Sequence, residues 1–437
     1  MSMIKNFILL IFTLIFCQPV FCQRDSLINI GHVDIIQSKI LNEKREIMVH
    51  VPPNRSLSDS FPVMIVFDGD ALFTKTIGIV DHLSSDYGNN KCPKMIVVGI
   101  RHPNRMKDLF PVFNEDNLFK NDKFAEFIEK ELIPHLDQKY PTTTFRLLVG
   151  HSVGGLRVAN FAVYNSNAFH AYIALDPSLG HDLNKWSNRA DSVIKEAKYS
   201  NKSMFVAMAQ TMPVLTDTSI INKDDSGEAR HMRAIMRFCY GFQHYSIDGM
   251  DFNWNYYPKE SHAGVTFLGL YDGLNSIFSW YEFKESQQLN DTTISAQKAV
   301  AILENHFQLI SKKMGYTILP PESRVNNIID NFWRRNRIDK AAAFAEINCK
   351  NYPNSESATN YLGYLRIEQK MLEEALVLFE KNTKDYPLSL NAWDSYGECL
   401  KMMGRKKEAI KAYKKVLDFN PNNKNAANMI KEMNAND

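Results

Sequence analysis

The sequence has almost no charge of one sign to spare. Lys and Arg total 51 and Asp and Glu 49, a formal net charge of +2. No basic run stands out, and no basic patch is interleaved with aromatics, so nucleic acid is not an expected partner. Cysteine is scarce as well: six in 437 residues, with no CxxC pair. That spacing excludes a zinc-ribbon site or a dense disulfide framework and leaves Cys92, Cys239, Cys349 and Cys399 as expected buried thiols. Neither HExxH nor GxxxxGK[ST] occurs, so zincin and P-loop chemistry are excluded, and no metal is expected. Long hydrophobic runs are also lacking. The one notable apolar stretch, FILLIFTLIF at 7–16, is short against the ~20 residues of a membrane-spanning helix.

That stretch follows Lys5 and precedes Pro19, with Val20 and Cys22 small enough for the −3 and −1 positions of a signal-peptidase site. The three-part pattern predicts a secretory signal over 1–22 and a mature chain from Gln23, without a membrane span after cleavage and in a periplasmic or secreted location. Hydrophobic content of 45% and charged content of 23% are those of a folded globular protein. Its length calls for more than one domain.

The C-terminal part repeats. Pro353, Pro387 and Pro421 are spaced 34 apart, as are Gly363 and Gly397, and Ala341, Ala375 and Ala409; Phe379 recurs as Tyr413. Small residues let paired helices approach, and Pro ends the second helix. This pattern resembles the tetratricopeptide repeat, in units of about 322–355, 356–389 and 390–423, with a capping helix over 424–434. Such stacks make concave surfaces, so a protein partner bound by the repeats is one expectation. Residues 289–321 read as a connecting helix and linker ending in LPPES.

Residues 23–288 alternate between strand and helix signals. REIMVHVP, FPVMIVFDGD, KMIVVGIR, TFRLLVG, HAYIALDPS, SMFVAMAQ and MDFNWNYYP read as strands, several of them continuously apolar. KFAEFIEKELIPHLDQKY, GLRVANFAVYN and GVTFLGLYDGLNSIFSWYEF read as helices. This alternation predicts an α/β domain with a mostly parallel sheet, covered by helices on both faces.

The chemistry centres on Gly150-His151-Ser152-Val153-Gly154-Gly155, a GxSxG placed between a buried strand and a helix. In that setting the glycines permit a tight elbow that holds Ser152 above the sheet edge, at a helix N-terminus. A serine hydroxyl needs a base, and the base an acid. Of the histidines after Ser152, only His262 falls between the last strand and the last helix of the domain, where the base belongs. The acid is expected after SMFVAMA, where Asp217, Asp224, Asp225 and Glu228 all qualify; Asp217 comes first. Glu260 could act locally, and a Ser–His dyad is a further option. Oxyanion donors are expected from the N–H of Val153 and of Gly69 or Asp70, in the DGD turn.

VFDGDALF, VVGIRHPNRMKDLFP, VGHSVGGLRV, YIALDPSLGHD and SHAGVTFLGLYDGL together resemble the putative-esterase family of α/β-hydrolases, over roughly residues 28–285. That family includes esterase D-type enzymes, trilactone siderophore esterases, and feruloyl and acetyl-xylan esterases. The resemblance implies a cofactor-free serine ester hydrolase with Ser152 and His262 in the catalytic roles. Its substrate would be a small-molecule ester, such as a siderophore or polysaccharide ester. Arg105 and Asp108, in NRMKDLFP, are given no catalytic role. An inactive hydrolase fold serving as a scaffold, and an acyltransferase, are the alternatives.

Overall fold

The computed structural model describes residues 28–53, 59–111, 122–164, 167–180, 185–196, 198–212, 221–245, 249–284 and 286–435. The signal expected over 1–22 lies outside them. Eight strands form one sheet: β1 (His32–Ser38), β2 (Glu43–His50), β3 (Phe61–Val66), β4 (Ile96–Ile100), β5 (Thr142–His151), β6 (Ala171–Leu175), β7 (Lys202–Ala209) and β8 (Met250–Tyr257), in the order β1-β2-β4-β3-β5-β6-β7-β8. Pairings β1–β2 and β2–β4 are antiparallel. All others are parallel.

The central strands are apolar throughout because helices cover both faces; β3, β4 and β6 are buried at every position. Alternate residues serve opposite faces. Ile65, Val98 and Leu148 face one layer, with α3 (Val153–Val163) and α4 (Gly227–His244). Met64, Val66, Val97, Leu147 and Val149 face the other, with α1 (Gly69–Leu83) and α5 (Val265–Ile277). A short α2 (Arg105–Leu109) follows β4.

That second layer does not stop at the α/β half. Leu303, Phe307 and Ile310 of α6 (Ala296–Met314) join it, followed by Val325 and Ile329 of α7 (Glu322–Arg334) and Ala341 and Phe344 of α8 (Ile338–Asn351). The stack continues with α9 (Glu356–Glu368), α10 (Leu372–Asp385), α11 (Leu390–Met402), α12 (Lys406–Phe419) and α13 (Lys424–Ala435). The spaced glycines have the expected cause: a Cβ on Gly363 would lie 2.5 Å from the Phe379 ring, and one on Gly397 3.2 Å from Tyr413. The protein is thus an α/β-hydrolase fold with a mostly parallel sheet, followed by an all-α repeat domain. Among the described residues, no helix is long and apolar enough to cross a membrane. Cys92, Cys239, Cys349 and Cys399 are unpaired, and Cys349 is only half-buried.

Candidate active site

Strand order reverses between β3 and β5: the chain builds β4 on one side of this pair, and β6, β7 and β8 on the other. The carboxyl ends at such a switch point open a crevice. β5 leads there into Ser152, whose backbone is left-handed at φ 59°, ψ −118°. A non-glycine residue held so is strained, and the neighbours have to fix it. Ser152 N–H donates to Leu175 O at 3.0 Å, and Ser152 O accepts from Leu156 at 2.9 Å and from Ser178 at 2.9 Å. The elbow also needs its glycines. A Cβ on Gly150 would lie 2.4 Å from Gly154 O, and one on Gly155 3.0 Å from Pro177 Cα.

Two residues past β3 stands a second left-handed residue, Asp68 (φ 55°), which opens α1. Its carboxylate is gripped by Arg105, through Nε at 2.6 Å and Nη2 at 2.9 Å, and the same Nη2 reaches His151 O at 3.2 Å. Arg105 therefore ties the two strand ends together. The N–H groups of Gly69, Asp70 and Val153 begin α1 and α3 and have no acceptor among the described residues. Two helix N-termini thus point free donors toward the crevice, where the helix dipoles favour developing negative charge. The Asp70 side chain turns away to Arg101, 2.8 Å from its Nε. Asp108 lies beneath, fully buried, held by Arg45 through two 2.7 Å bonds and by His102 at 3.0 Å. Arg105 and Asp108 thus serve the frame of the site.

His262 sits in the loop between β8 and α5, with its side chain 41% exposed. Gln210 N–H donates to Glu260 O at 2.9 Å, which pins this loop to the end of β7. His151 approaches it with ring centroids 4.5 Å apart and with Nε2 2.7 Å from His262 O. Burial, and then the neighbouring His262, pull the His151 imidazole down to about 4. It is therefore neutral at neutral pH and donates from Nε2 to that carbonyl. Ser152 Oγ lies 3.1 Å from Ser178 Oγ, and no hydrogen bond joins it to His262 among the described residues.

The carboxylate beside His262 comes from an unexpected strand. Asp217 lies outside the described residues. Nδ1 of His262 is occupied by Asp176, the residue after β6, at 2.5 Å from Oδ2. Asp176 is fully buried and left-handed (φ 40°), and its Oδ1 accepts from Ala209 N–H at 2.9 Å. Oδ2 has a second partner, Nε2 of His231 on α4, at 3.1 Å. Burial raises the Asp176 carboxyl, but the His231 and His262 hydrogen bonds, the His231 charge and the Ala209 N–H outweigh it and hold it well below the usual carboxylate range. The other candidates lie elsewhere. Asp224 accepts from Ser226 N–H at 2.7 Å near the start of α4, Asp225 and Glu228 are exposed, and Glu260 lies against the Gly264 backbone.

Sequence reasoning missed Asp176 and His231. The signal for Asp176 was IALDPS, an acid at the mouth of a buried strand, one strand earlier than expected. His231 carried none, because the helix that delivers it was not anticipated. Asp176, His231 and His262 bring three ligand-type atoms within 4.8 Å, close enough to share an ion. Both imidazoles nonetheless meet the same carboxylate oxygen, as hydrogen-bond donors to a buried acid do. A cavity of about 1040 Å³ lies away from this chemistry, on the repeats, lined in part by Trp333, Tyr361, Tyr364 and Tyr386.

The comparisons agree with this architecture. Among solved structures, the chain is similar to an IroE-like serine hydrolase from Shewanella oneidensis, with a TM-score of 0.58 and 24% identity over 73% of this chain and 98% of that one. It is also similar to an uncharacterised protein from Capnocytophaga ochracea, with a TM-score of 0.55 and 16% identity over 93% and 99%. At these identities the likeness is one of fold. No curated protein matches the chain in sequence. Residues 38–225 match the family described as Putative esterase, a stretch that holds Ser152 and Asp176 and stops short of His231 and His262. With residues 390–423 matching the tetratricopeptide repeat as well, the chain resembles a Putative esterase carrying tetratricopeptide repeats behind its α/β half.

Proposed function

We propose that the protein is a serine carboxylic ester hydrolase that works through an acyl-enzyme on Ser152. One observation carries this reading. A strained Ser152 stands at the β5–α3 elbow, beside free helix N-terminal N–H groups, while the adjacent loop presents a histidine backed by a buried, ionised acid. A glycine-rich turn with no chemistry to perform would not need a serine at φ 59°.

Asp176 holds Nδ1 of His262, which leaves Nε2 to act as base. Ser152 Oγ turns from Ser178 and attacks the ester carbonyl carbon as its proton passes to Nε2. The carbonyl oxygen takes the negative charge and is held by the N–H of Val153 and of Gly69 or Asp70. Collapse breaks the C–O bond, and His262 returns the proton to the leaving alcohol. Water then attacks the acyl-enzyme, His262 takes its proton, and the acid departs with Ser152 restored. Donors of the oxyanion-hole type typically contribute a factor of ~10²–10³ in kcat each.

The N-terminal pattern supports an exported enzyme. The substrate proposed is a small-molecule ester of the siderophore or polysaccharide kind implied by the family resemblance. The test uses the mature chain from Gln23. Hydrolysis of short p-nitrophenyl esters and labelling by a fluorophosphonate are followed in wild type and in Ser152→Ala. Turnover and labelling in wild type, with both lost in the variant, is the expected result. A folded wild type that neither labels nor turns over sinks the enzyme reading and leaves the scaffold role, with the repeats as the surface to probe.

A further inference from the structure

The outer imidazole, His231, has no place in the three-residue scheme above, yet it is built into it. Asp176 is fully buried, and its oxygens are divided among three donors: Oδ1 takes Ala209 N–H, while Oδ2 takes His262 Nδ1 and His231 Nε2. A carboxylate oxygen has two lone pairs. If His231 were absent, one lone pair of Oδ2 would face a dry interior without a donor, and a buried acceptor left so costs stability or shifts to find a partner. The available shift is rotation of the carboxylate about its own axis. That rotation would carry Oδ2 away from His262.

His231 is well placed to prevent it. It stands one turn into α4, whose start is capped by Ser226 Oγ accepting from Ala229 N–H at 3.1 Å. Its neighbours Met232 and Ile235 are fully buried against the sheet, so the helix fixes the ring's position. The His231 ring also stands edge-on to that of His262, centroids 5.6 Å apart and planes at 81°. His262 itself is on an exposed loop and has no helix to hold it. α4 thus adds order to the site through one shared oxygen, beside the Gln210 and His151 bonds that hold the loop.

We propose that His231 is a positioning residue that acts through Asp176. By filling the second lone pair of Oδ2, it fixes the carboxylate that orients His262. The proposal rests on the hydrolase reading above. It commits His231 to carrying hydrogen on Nε2, the atom that meets the acid.

The test compares His231→Gln, His231→Asn and His231→Phe in the full mature chain with a p-nitrophenyl ester, and repeats the Phe change in an Asp176→Asn background. Gln carries a side-chain N–H close to the imidazole Nε2 position, so its kcat is expected within about threefold of wild type. Asn is polar but too short to reach, and Phe fills space without a donor. Both are expected to lower kcat by roughly ten- to a hundredfold, with KM within about twofold and the thermal midpoint little changed. Where Phe fails to fold, the contrast between Gln and Asn carries the test. In the Asp176→Asn background, the Phe change is expected to cost less than about twofold, since a residue acting through Asp176 has nothing left to position. Equal losses in Gln and Asn, no loss in either, or the same Phe cost in both backgrounds would overturn the proposal. Wild-type turnover that depends on Ser152 keeps any such failure separate from failure of the hydrolase reading.

Discussion

Both halves of the protein rely on left-handed backbone, for opposite reasons. In the α/β half, Asp68, Ser152 and Asp176 take φ values of 55°, 59° and 40° at the ends of β3, β5 and β6. In the repeats, Asn336, Lys370 and Gly404 take φ values of 55°, 63° and 74°, spaced 34 apart. The repeat positions each end the first helix of a unit with the same pair of bonds. The residue itself donates three back, to Trp333, Ile367 or Lys401, and the next residue donates five back, to Phe332, Arg366 or Leu400. This is a Schellman turn, and only the backbone matters to it. Asn, Lys and Gly serve alike. At the strand ends each residue has a side-chain task, as Arg105 anchor, as proposed nucleophile or as the carboxylate held by His262, and glycine would lose it. A left-handed position with interchangeable residues marks geometry, and one with a committed polar side chain marks chemistry.

The sharpest way to break this comparison is Asp176→Asn. Asn accepts left-handed backbone as readily as Asp, so the strand end is expected to hold while the charge beside His262 is lost. An amide in this position favours the wrong imidazole tautomer, and kcat is expected to fall by about 10³–10⁴ with a small change in thermal midpoint. Steady-state kinetics and circular dichroism on one preparation check it. A kcat within tenfold of wild type would mean that the site works as a Ser–His dyad and that Asp176 belongs with the geometric positions.

Much of this was legible in the sequence, and the limits have physical causes. The GxSxG elbow and the 34-residue period are local patterns fixed by sterics, so they survive without any three-dimensional context. His262 could be singled out as the candidate base because chain order puts that residue before the last helix. The carboxylate beside it could not, because Asp176 and Asp217 both follow apolar strand segments in the sequence, and only the fold brings Asp176 against His262. β1 was missed because it is an edge strand. Asp34, Ile36 and Ser38 face inward, but Val33 and Ile35 are exposed, which blurs the alternation. Arg105 is given no catalytic role by its motif, and nothing in its spacing shows that it bridges Asp68 and His151.

A smaller effect separates the halves by acid stability. Burial first, and then nearby positive charge, pull His170 in the α/β half down to about 4, as burial and His262 do for His151. Both are neutral when folded and would take up protons near the ordinary 6.5 when unfolded. Their contribution is therefore complete above about pH 6.5 and is lost as pH falls toward 4. In the repeats, burial raises the Asp394 carboxyl, an effect of the opposite sign that favours the fold as pH falls. Between pH 7 and pH 5 the α/β half is expected to lose on the order of 1 kcal/mol per histidine after allowance for partial exposure. Urea midpoints at the two pH values check this in wild type and in His170→Gln, a change remote from Ser152. The variant should lose less on acidification; an equal loss would mean that His170 contributes nothing to the acid sensitivity.

The smallest effect tests the geometric side of the comparison. Lys370 is exposed and sits at φ 63°, where a Cβ crowds the following carbonyl. The matching residue in the next unit is Gly404, around which a Cβ would meet nothing within 4 Å. Space therefore sets no preference at this turn, and only the φ angle does. Lys370→Gly relieves that strain while giving the unfolded chain more freedom, and the two partly cancel. The net expectation is a gain of roughly 0.5–1 kcal/mol, with Gly404→Lys losing about as much. Asn336→Gly should gain less, since Asn already tolerates the left-handed region. Urea midpoints on the three variants check the order. A midpoint that falls for Lys370→Gly would show that the lysine side chain, and not the turn, stabilises that corner, and the line drawn here between geometric and chemical left-handed positions would have to be redrawn inside the repeats.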